Sequence, residues 1–215
     1  MKLSVLLCAA ALVASAACAG AQKVSTPAPL PPRPLAAYAT RRVIVVPTHY
    51  LRSADTLGWA ARISDPRDYL ANVDAEIAFA LAERGIKNRW VLPPALAESA
   101  KRNATFSPDP YDLAAQWLRP PMSKAPEQLL EPLASELRSL VAMHEDARYV
   151  LFPVEIRFAP AERGMGRAVL RVAVLDARMS RITWMGDVLS DPAPAFSPAL
   201  AASVATHLAD LIAAP

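Results

Sequence analysis

Three strand-like segments in the second half of the chain constrain its fold more than any other feature. They span residues 147–160, 167–178 and 181–189, and only short turns separate them. In the first segment apolar side chains recur at every second position: Val150, Phe152, Val154, Ile156 and Phe158. A period of two is typical of a β-strand, and strands joined by short turns pair antiparallel. The three segments therefore predict a β-meander.

The rest of the chain alternates between strand-like and helical patterns. Residues 41–48 and 88–92 are short apolar runs that predict two further strands. Helical patterns occur in five segments: 69–84, 95–102, 110–118, 127–144 and 197–213. The order β-α-β-α-α-α-β-β-β-α predicts a single α+β domain with two layers, in which helices pack on one or both faces of a mixed sheet of about five strands.

The chain begins with the pattern of a secretory signal. Lys2 precedes an apolar run from Leu3 to Val13, and small residues follow as far as Ala21. The run is shorter than the roughly 20 apolar residues of a membrane-spanning helix. The pattern predicts export, with 1–21 as the signal peptide, or 1–17 if the protein is a lipoprotein.

Two cleavage sites compete at the end of this signal. The small residues 19–21 form a good site for ordinary cleavage before Gln22. Cleavage before Cys18 would instead make that cysteine the lipid-bearing first residue, although Ser15 stands where leucine is usual. Cys18 lies outside the apolar run and a proline-rich segment follows it, which favours the lipid anchor. Both forms are expected in the periplasm, and the lipidated form is expected at the outer membrane.

A proline-rich segment separates the leader from the domain. Residues 22–40 contain five prolines and no hydrophobic periodicity. Proline fixes φ and removes a backbone donor, so the segment favours extended conformations and predicts a linker. The single α+β domain is then expected to occupy 41–215. Both cysteines of the chain, Cys8 and Cys18, precede it, so no disulfide is expected within it.

Charge and motif content argue against several classes of site. The formal net charge is +3, and the arginines are scattered along the sequence, so no nucleic-acid partner is predicted. The sequence shows no phosphate-binding glycine loop, no nucleophile motif and no metal-ligand spacing. Neither a cofactor nor a metal is therefore expected, and membrane contact is expected only through a lipid on Cys18.

One position is an alternative candidate for catalysis. His49 follows the first predicted strand, and Tyr50 and Asp55 are close to it in sequence. The end of a strand is a common place for a site in α/β proteins. An exposed loop histidine without a function is the favoured explanation of the same residues.

Two features predict contact with another protein. Residues 108–121 are bounded by prolines and carry Tyr111 and Trp117, inside a long insertion, residues 95–126, between the second predicted strand and the helix before the meander. Long insertions in compact domains are often functional. The second face of the meander carries charged side chains, which predicts that it is solvated or touches a partner: Glu155, Arg157 and Arg171.

Residues of the meander and the helix before it also carry a resemblance to known proteins. The sequence Ala-Arg-Tyr-Val-Leu follows a helix at 147–151, a strand ends at Asp176, and the next strand carries Trp184. This resembles a group of bacterial envelope domains that includes curli-secretion lipoproteins, lipoprotein activators of penicillin-binding proteins and the amino-terminal domain of the Tol-system propeller protein. Met179-Ser180 replaces the group's usual Thr-Gly turn. The resemblance implies an α+β fold, an envelope location and a role in assembly, tethering or activation.

These observations together predict a non-enzymatic exported envelope protein. Its partner is expected to be another envelope protein or a second copy of the chain. The alternative is a small periplasmic enzyme or ligand-binding protein with its site near His49.

Overall fold

A computed structural model describes residues 32–86, 88–119 and 127–214. The leader, Cys18 and the first part of the proline-rich segment lie outside these residues, so the choice between the two cleavage sites stays a prediction. Within the described residues the strands are β1 (Val43–Val45), β2 (Tyr50–Leu51), β3 (Tyr149–Pro160), β4 (Gly166–Asp176) and β5 (Arg181–Leu189). The α-helices are α1 (Pro66–Glu83), α2 (Pro93–Arg102), α3 (Leu133–Ala142) and α4 (Ala199–Ile212). None of these helices is long and apolar enough to cross a membrane.

Strand β3 organises the sheet. β4 pairs antiparallel with β3, and β5 pairs antiparallel with β4, which is the predicted meander. Along the other side of β3, β1 pairs with its first residues and β2 with its middle, both in the parallel direction. The sheet order is β1-β3-β4-β5, with β2 beside β3. The α+β class and the five-stranded mixed sheet are therefore confirmed.

Helices cover both faces of this sheet. α1 and α4 pack on one face through buried side chains such as Ile77 and Val204. α2 and α3 pack on the other face through Leu96 and Leu137. A strand buried on both faces has apolar residues at consecutive positions, which explains the run at 150–152. The domain thus has three layers, where the sequence indicated two.

A β-bulge divides β3 between the two faces. The register with β4 shifts between Pro153 and Glu155. The extra residue of a bulge reverses the alternation beyond it, so the prediction of a single apolar face is wrong after Val154. Val150, Phe152 and Val154 belong to the core under α2 and α3, whereas Ile156 and Phe158 belong to the core under α1 and α4. The shift places both Glu155 and Arg157 on the face of the sheet that α2 and α3 cover.

Three local predictions differ from the structure. Residues 88–92 contribute a single parallel bridge, Ile44 to Val91, rather than a strand. The predicted helix at 110–118 is only a short 3-10 turn, Gln116–Leu118. Helix α3 begins at Leu133 and not at 127, because the residue before a proline is disfavoured in helical conformation and Pro132 forms the N-cap.

The last residues of the proline-rich segment belong to the folded domain. Leu35 is fully buried, and its backbone N–H donates to the Leu211 carbonyl at 3.1 Å. The Tyr38 ring packs edge-on against Tyr149 with 5.1 Å between ring centroids. These contacts tie the segment to α4 and β3, so the domain begins before residue 41.

Candidate interaction site

Glu155 is a buried carboxylate held by two arginines from distant parts of the chain. Its side chain is fully buried. Arg52, just after β2, approaches Oε1 to 2.6 Å. Arg119, the last residue of the insertion that the structure describes, places Nη2 at 2.6 Å and Nε at 2.7 Å from Oε2. A buried charge is tolerated when it is paired, and here Arg52 pairs with Oε1 while Arg119 donates a hydrogen bond to Oε2.

A second carboxylate lies two strands away on the same face of the sheet. Asp187 on β5 accepts from Arg171 Nε at 2.7 Å and from Arg157 Nη2 at 2.6 Å. Burial alone would raise the pKa of the Asp187 carboxyl, but the hydrogen bonds and charges of the two arginines outweigh it and lower that pKa below its ordinary value. Asp187 is therefore ionised at neutral pH.

These six residues form one group, here called the arginine cluster: Arg52, Arg119, Arg157, Arg171, Glu155 and Asp187. Register places Glu155 opposite Arg171, and Arg171 opposite Asp187, in a row across three strands. Four guanidinium groups and two carboxylates leave a formal charge of +2. The arginines are scattered in the sequence, so only the fold reveals the cluster. It includes three residues that the sequence predicted as partner contacts, of which Glu155 is fully buried and is bound by Arg52 and Arg119.

The insertion is fixed to the domain through its second half. Leu113, Ala115 and Leu118 are buried in the core under α2 and α3. The backbone N–H of Ala114 donates to Glu136 Oε2 on α3 at 2.9 Å. The Arg119 guanidinium stacks on the Tyr50 ring, 4.6 Å from its centroid, while it binds Glu155. The segment is therefore seated on the sheet rather than projecting freely from it.

The first half of the insertion exposes aromatic side chains. Phe106 is 82% exposed and Tyr111 is 55% exposed. Tyr111 borders a cleft of about 510 Å³ against α2, lined by Ala97, Ala100 and Ala104, and a smaller one of about 160 Å³ lined by Ala75, Ala78 and two prolines. Phe79, which is also exposed, lies four residues after Ala75 and so on the same side of α1. We call Phe106, Tyr111 and the alanine-lined clefts the aromatic surface.

The two aromatics that the sequence singled out in the insertion have different surroundings. Tyr111 is on the surface, as a contact residue must be. Trp117 is half-buried, and its indole N–H is buried without a hydrogen-bond partner among the described residues. Phe106 was missed, although a phenylalanine among the small and polar residues at 103–107 is a signal that the sequence offers.

Of the three residues of the alternative catalytic site, His49 and Tyr50 lie with 5.9 Å between their ring centroids, whereas the Asp55 carboxylate is engaged elsewhere. The Asp55 carboxylate accepts three backbone N–H bonds within its own loop, from Leu57, Trp59 and Ala60, at 2.8 to 3.1 Å. Tyr50 lies under the Arg119 guanidinium. Only His49 borders a large cleft, of about 750 Å³, which it shares with Tyr111 and several carboxylates: Asp68, Asp74, Asp109 and Asp112.

His49 is held as a neutral imidazole. Its Nδ1 donates to the Pro47 carbonyl at 2.7 Å, and its Nε2 accepts from the Leu113 N–H at 3.4 Å. Burial lowers the pKa of His49 by more than the Pro47 hydrogen bond and the nearby carboxylates raise it. Both ring nitrogens are engaged by backbone, so the side chain connects the β1–β2 loop to the insertion.

Asp74 on α1 has the most perturbed carboxyl group of this cleft. Its Oδ1 accepts from the Thr48 N–H at 2.8 Å and from the Thr48 hydroxyl at 2.6 Å. Burial raises the pKa of Asp74 to about 6, although both hydrogen bonds lower it. Among the described residues no group of three or more His, Cys, Asp or Glu side chains is placed to hold a metal ion.

Comparison with known proteins gives a distant similarity to solved structures. No protein-family profile and no curated protein matches the chain. Among solved structures, the C-terminal domain of LpoB from Escherichia coli matches with 18% identity and a TM-score of 0.32, over 69% of this chain and 81% of that one. At this TM-score the two backbones share too little of their path for function to be carried from one to the other.

Proposed function

We propose that the chain is a non-enzymatic exported envelope protein whose domain binds a partner protein or a second copy of itself. The leader at residues 1–21 supports export, and the proline-rich residues that precede the folded domain supply a linker. The aromatic surface supplies the contact region. A lipid on Cys18 tethers the domain to the outer membrane.

The observation that carries this proposal is the insertion, which is anchored on one side and exposes aromatics on the other. In a disordered loop, exposed phenylalanine and tyrosine side chains would not indicate a binding surface. Here the segment is fixed by the Arg119–Glu155 ion pair and by buried Leu113 and Leu118. An aromatic side chain beside small-residue clefts, as Tyr111 is, is typical of the centre of a protein interface, since a partner buries its area at little cost in entropy.

Affinity capture from a native envelope extract tests the partner-binding role. The pair of substitutions Phe106→Ser and Tyr111→Ala is expected to reduce recovery of a stoichiometric partner by about tenfold or more, the size of a lost aromatic hot spot. Met179→Ser removes an exposed side chain from the β4–β5 turn and should leave recovery unchanged. Mixing two differently tagged copies detects self-association. Recovery of neither a partner nor a second copy would contradict the proposal.

The mass of the mature protein tests the anchor. We expect a protein that begins at Cys18 and carries lipid, and we expect Cys18→Ala to release it into the soluble periplasmic fraction. Recovery of an unmodified chain that begins at Gln22 would exclude the lipid anchor. The partner-binding proposal would stand, because both forms deliver the same domain to the periplasm.

The His49 cleft supports a second candidate function, binding of a small ligand. It combines about 750 Å³ of volume with a carboxyl group, that of Asp74, whose pKa of about 6 is close to neutral. Such groups cluster at functional sites. A positively charged ligand is the class that its four carboxylates would attract. Asp112→Asn is expected to abolish such binding, and equal binding by this variant and the original chain would exclude the candidate.

A further inference from the structure

The arginine cluster carries more positive charge than its own carboxylates balance. All four carboxylate oxygens of Glu155 and Asp187 are engaged at 2.6 to 2.7 Å. Arg157 uses Nη2 for Asp187, while its Nη1 is buried and has no hydrogen-bond partner among the described residues. A buried guanidinium N–H without an acceptor is unfavourable. One donor of Arg157 therefore stays unused within the described residues, and the cluster keeps its excess of positive charge.

The face of the sheet that carries the arginine cluster has a further arginine beyond it. Arg167 on β4 lies two strand positions before Val169 and four before Arg171, so all three point to one face. Arg167 is half-buried, and its Nε also lacks a partner within the described part of the chain. Leu189, which pairs with Val169 and is 41% exposed, adds an apolar side chain between the charges. Positive and apolar side chains thus share one side of the sheet.

We infer that this sheet face is the site at which an acidic segment of the envelope partner binds. This inference rests on the proposed function and adds the chemistry of the partner. Carboxylate is the group that the cluster already binds, since each of its guanidiniums lies within 2.7 Å of one. The planar fork of arginine suits carboxylates. A protein segment fits better than a free ion because Leu189 offers apolar contact beside the charges.

Binding of labelled peptides to the protein purified from the cell envelope tests the inference. A decaglutamate peptide is expected to bind at least tenfold more tightly than decaglutamine, and its affinity should fall as salt screens the charges. Arg157→Gln should weaken decaglutamate binding by about tenfold. The matched control is Arg89→Gln, which removes the same charge from an exposed position far from β4 and β5 in the sequence.

A substitution that is expected to strengthen binding distinguishes an effect on the site from unfolding of the protein. Asp187→Asn removes a carboxylate that competes for Arg157 and Arg171, so it is expected to strengthen decaglutamate binding several-fold. Simple loss of structure would weaken it. Equal binding of the two peptides, or equal effects of Arg157→Gln and Arg89→Gln, would overturn the inference. So would tighter binding of inorganic phosphate or of vesicles with anionic phospholipid than of decaglutamate.

The two proposals fail separately. If a partner is captured through Phe106 and Tyr111 but decaglutamate does not bind, the partner does not use the arginine cluster as a carboxylate site. If decaglutamate binds as expected but no partner and no second copy is captured, the cluster recognises carboxylates and the partner-binding function is wrong.

Discussion

Replacing Glu155 with glutamine is expected to lower the free energy of unfolding by about 3 kcal/mol, as for other buried ion pairs that lose one partner. The substitution keeps the shape of the side chain but removes the charge that Arg52 and Arg119 share. It also turns an acceptor into an amide donor that faces a guanidinium. The two arginines remain partly exposed and recover some hydration, so the loss stays below the upper end of the range for such pairs. Urea unfolding measures it.

The same variant should loosen the insertion. Arg119 holds this part of the segment to β3, so chymotrypsin is expected to cleave after Trp117 faster in Glu155→Gln than in the original chain. Glu98→Gln is the control, since Glu98 forms an exposed pair with Arg102 one helical turn away and should contribute about 0.5 kcal/mol or less. If Glu155→Gln changed stability no more than Glu98→Gln, the anchoring role of Glu155 would be wrong.

Replacing Asp74 with asparagine is expected to stabilise the domain at pH 7 by about 2 to 3 kcal/mol, at 1.36 kcal/mol per unit of pKa. The folded-state pKa of Asp74, about 6, lies above the ordinary value of 3.8, so the folded protein binds the proton more tightly than the unfolded chain. The stability from this group is therefore complete below about pH 4 and is lost as the pH rises through 6. Asparagine has no charge to desolvate, and its oxygen can still accept from Thr48.

Thermal unfolding between pH 4 and pH 7 measures this difference. Other groups of the cleft also titrate or carry charge, among them His49, Arg67 and Asp112, so the difference between Asp74→Asn and the original chain isolates Asp74. Thr48→Val, which removes one of the hydrogen bonds that lower the pKa of Asp74, should shift the transition to higher pH. A pH profile that is the same with and without Asp74 would contradict the assigned protonation.

The sequence predicted the β-meander because the pattern of its side chains is local. Val150 and Phe152 recur at every second position, as in a β-strand. The turn before Arg181 is short, so the pairing of β5 with β4 follows from residues that are adjacent in the sequence. The bulge after Pro153 was not predictable in this way. Apolar residues continue on both sides of it, and because both faces of β3 are covered by helices, a change of face leaves no break in the hydrophobic pattern.

The candidate site depends on contacts over long distances in sequence. Tyr111 could be selected as a candidate contact residue from the sequence, because a tyrosine between prolines in a long insertion is an unusual local feature. The ion pair between Arg119 and Glu155 joins residues 36 apart, and Arg157 meets Asp187 only through two strand pairings. Asp74 stands at a polar position in the helical pattern of α1. The burial of its carboxyl group is explained only by the position of Thr48 after β1.

Photo-crosslinking at position 111 in the intact cell envelope tests the central claim most directly, namely that the anchored insertion presents a partner-binding surface. A photoreactive phenylalanine analogue in place of Tyr111 keeps an aromatic ring at an exposed site, and the same analogue in place of Arg89 is the control. We predict one discrete adduct from position 111 and none from position 89. The absence of any adduct at position 111, or the same adducts at both positions, would contradict the claim.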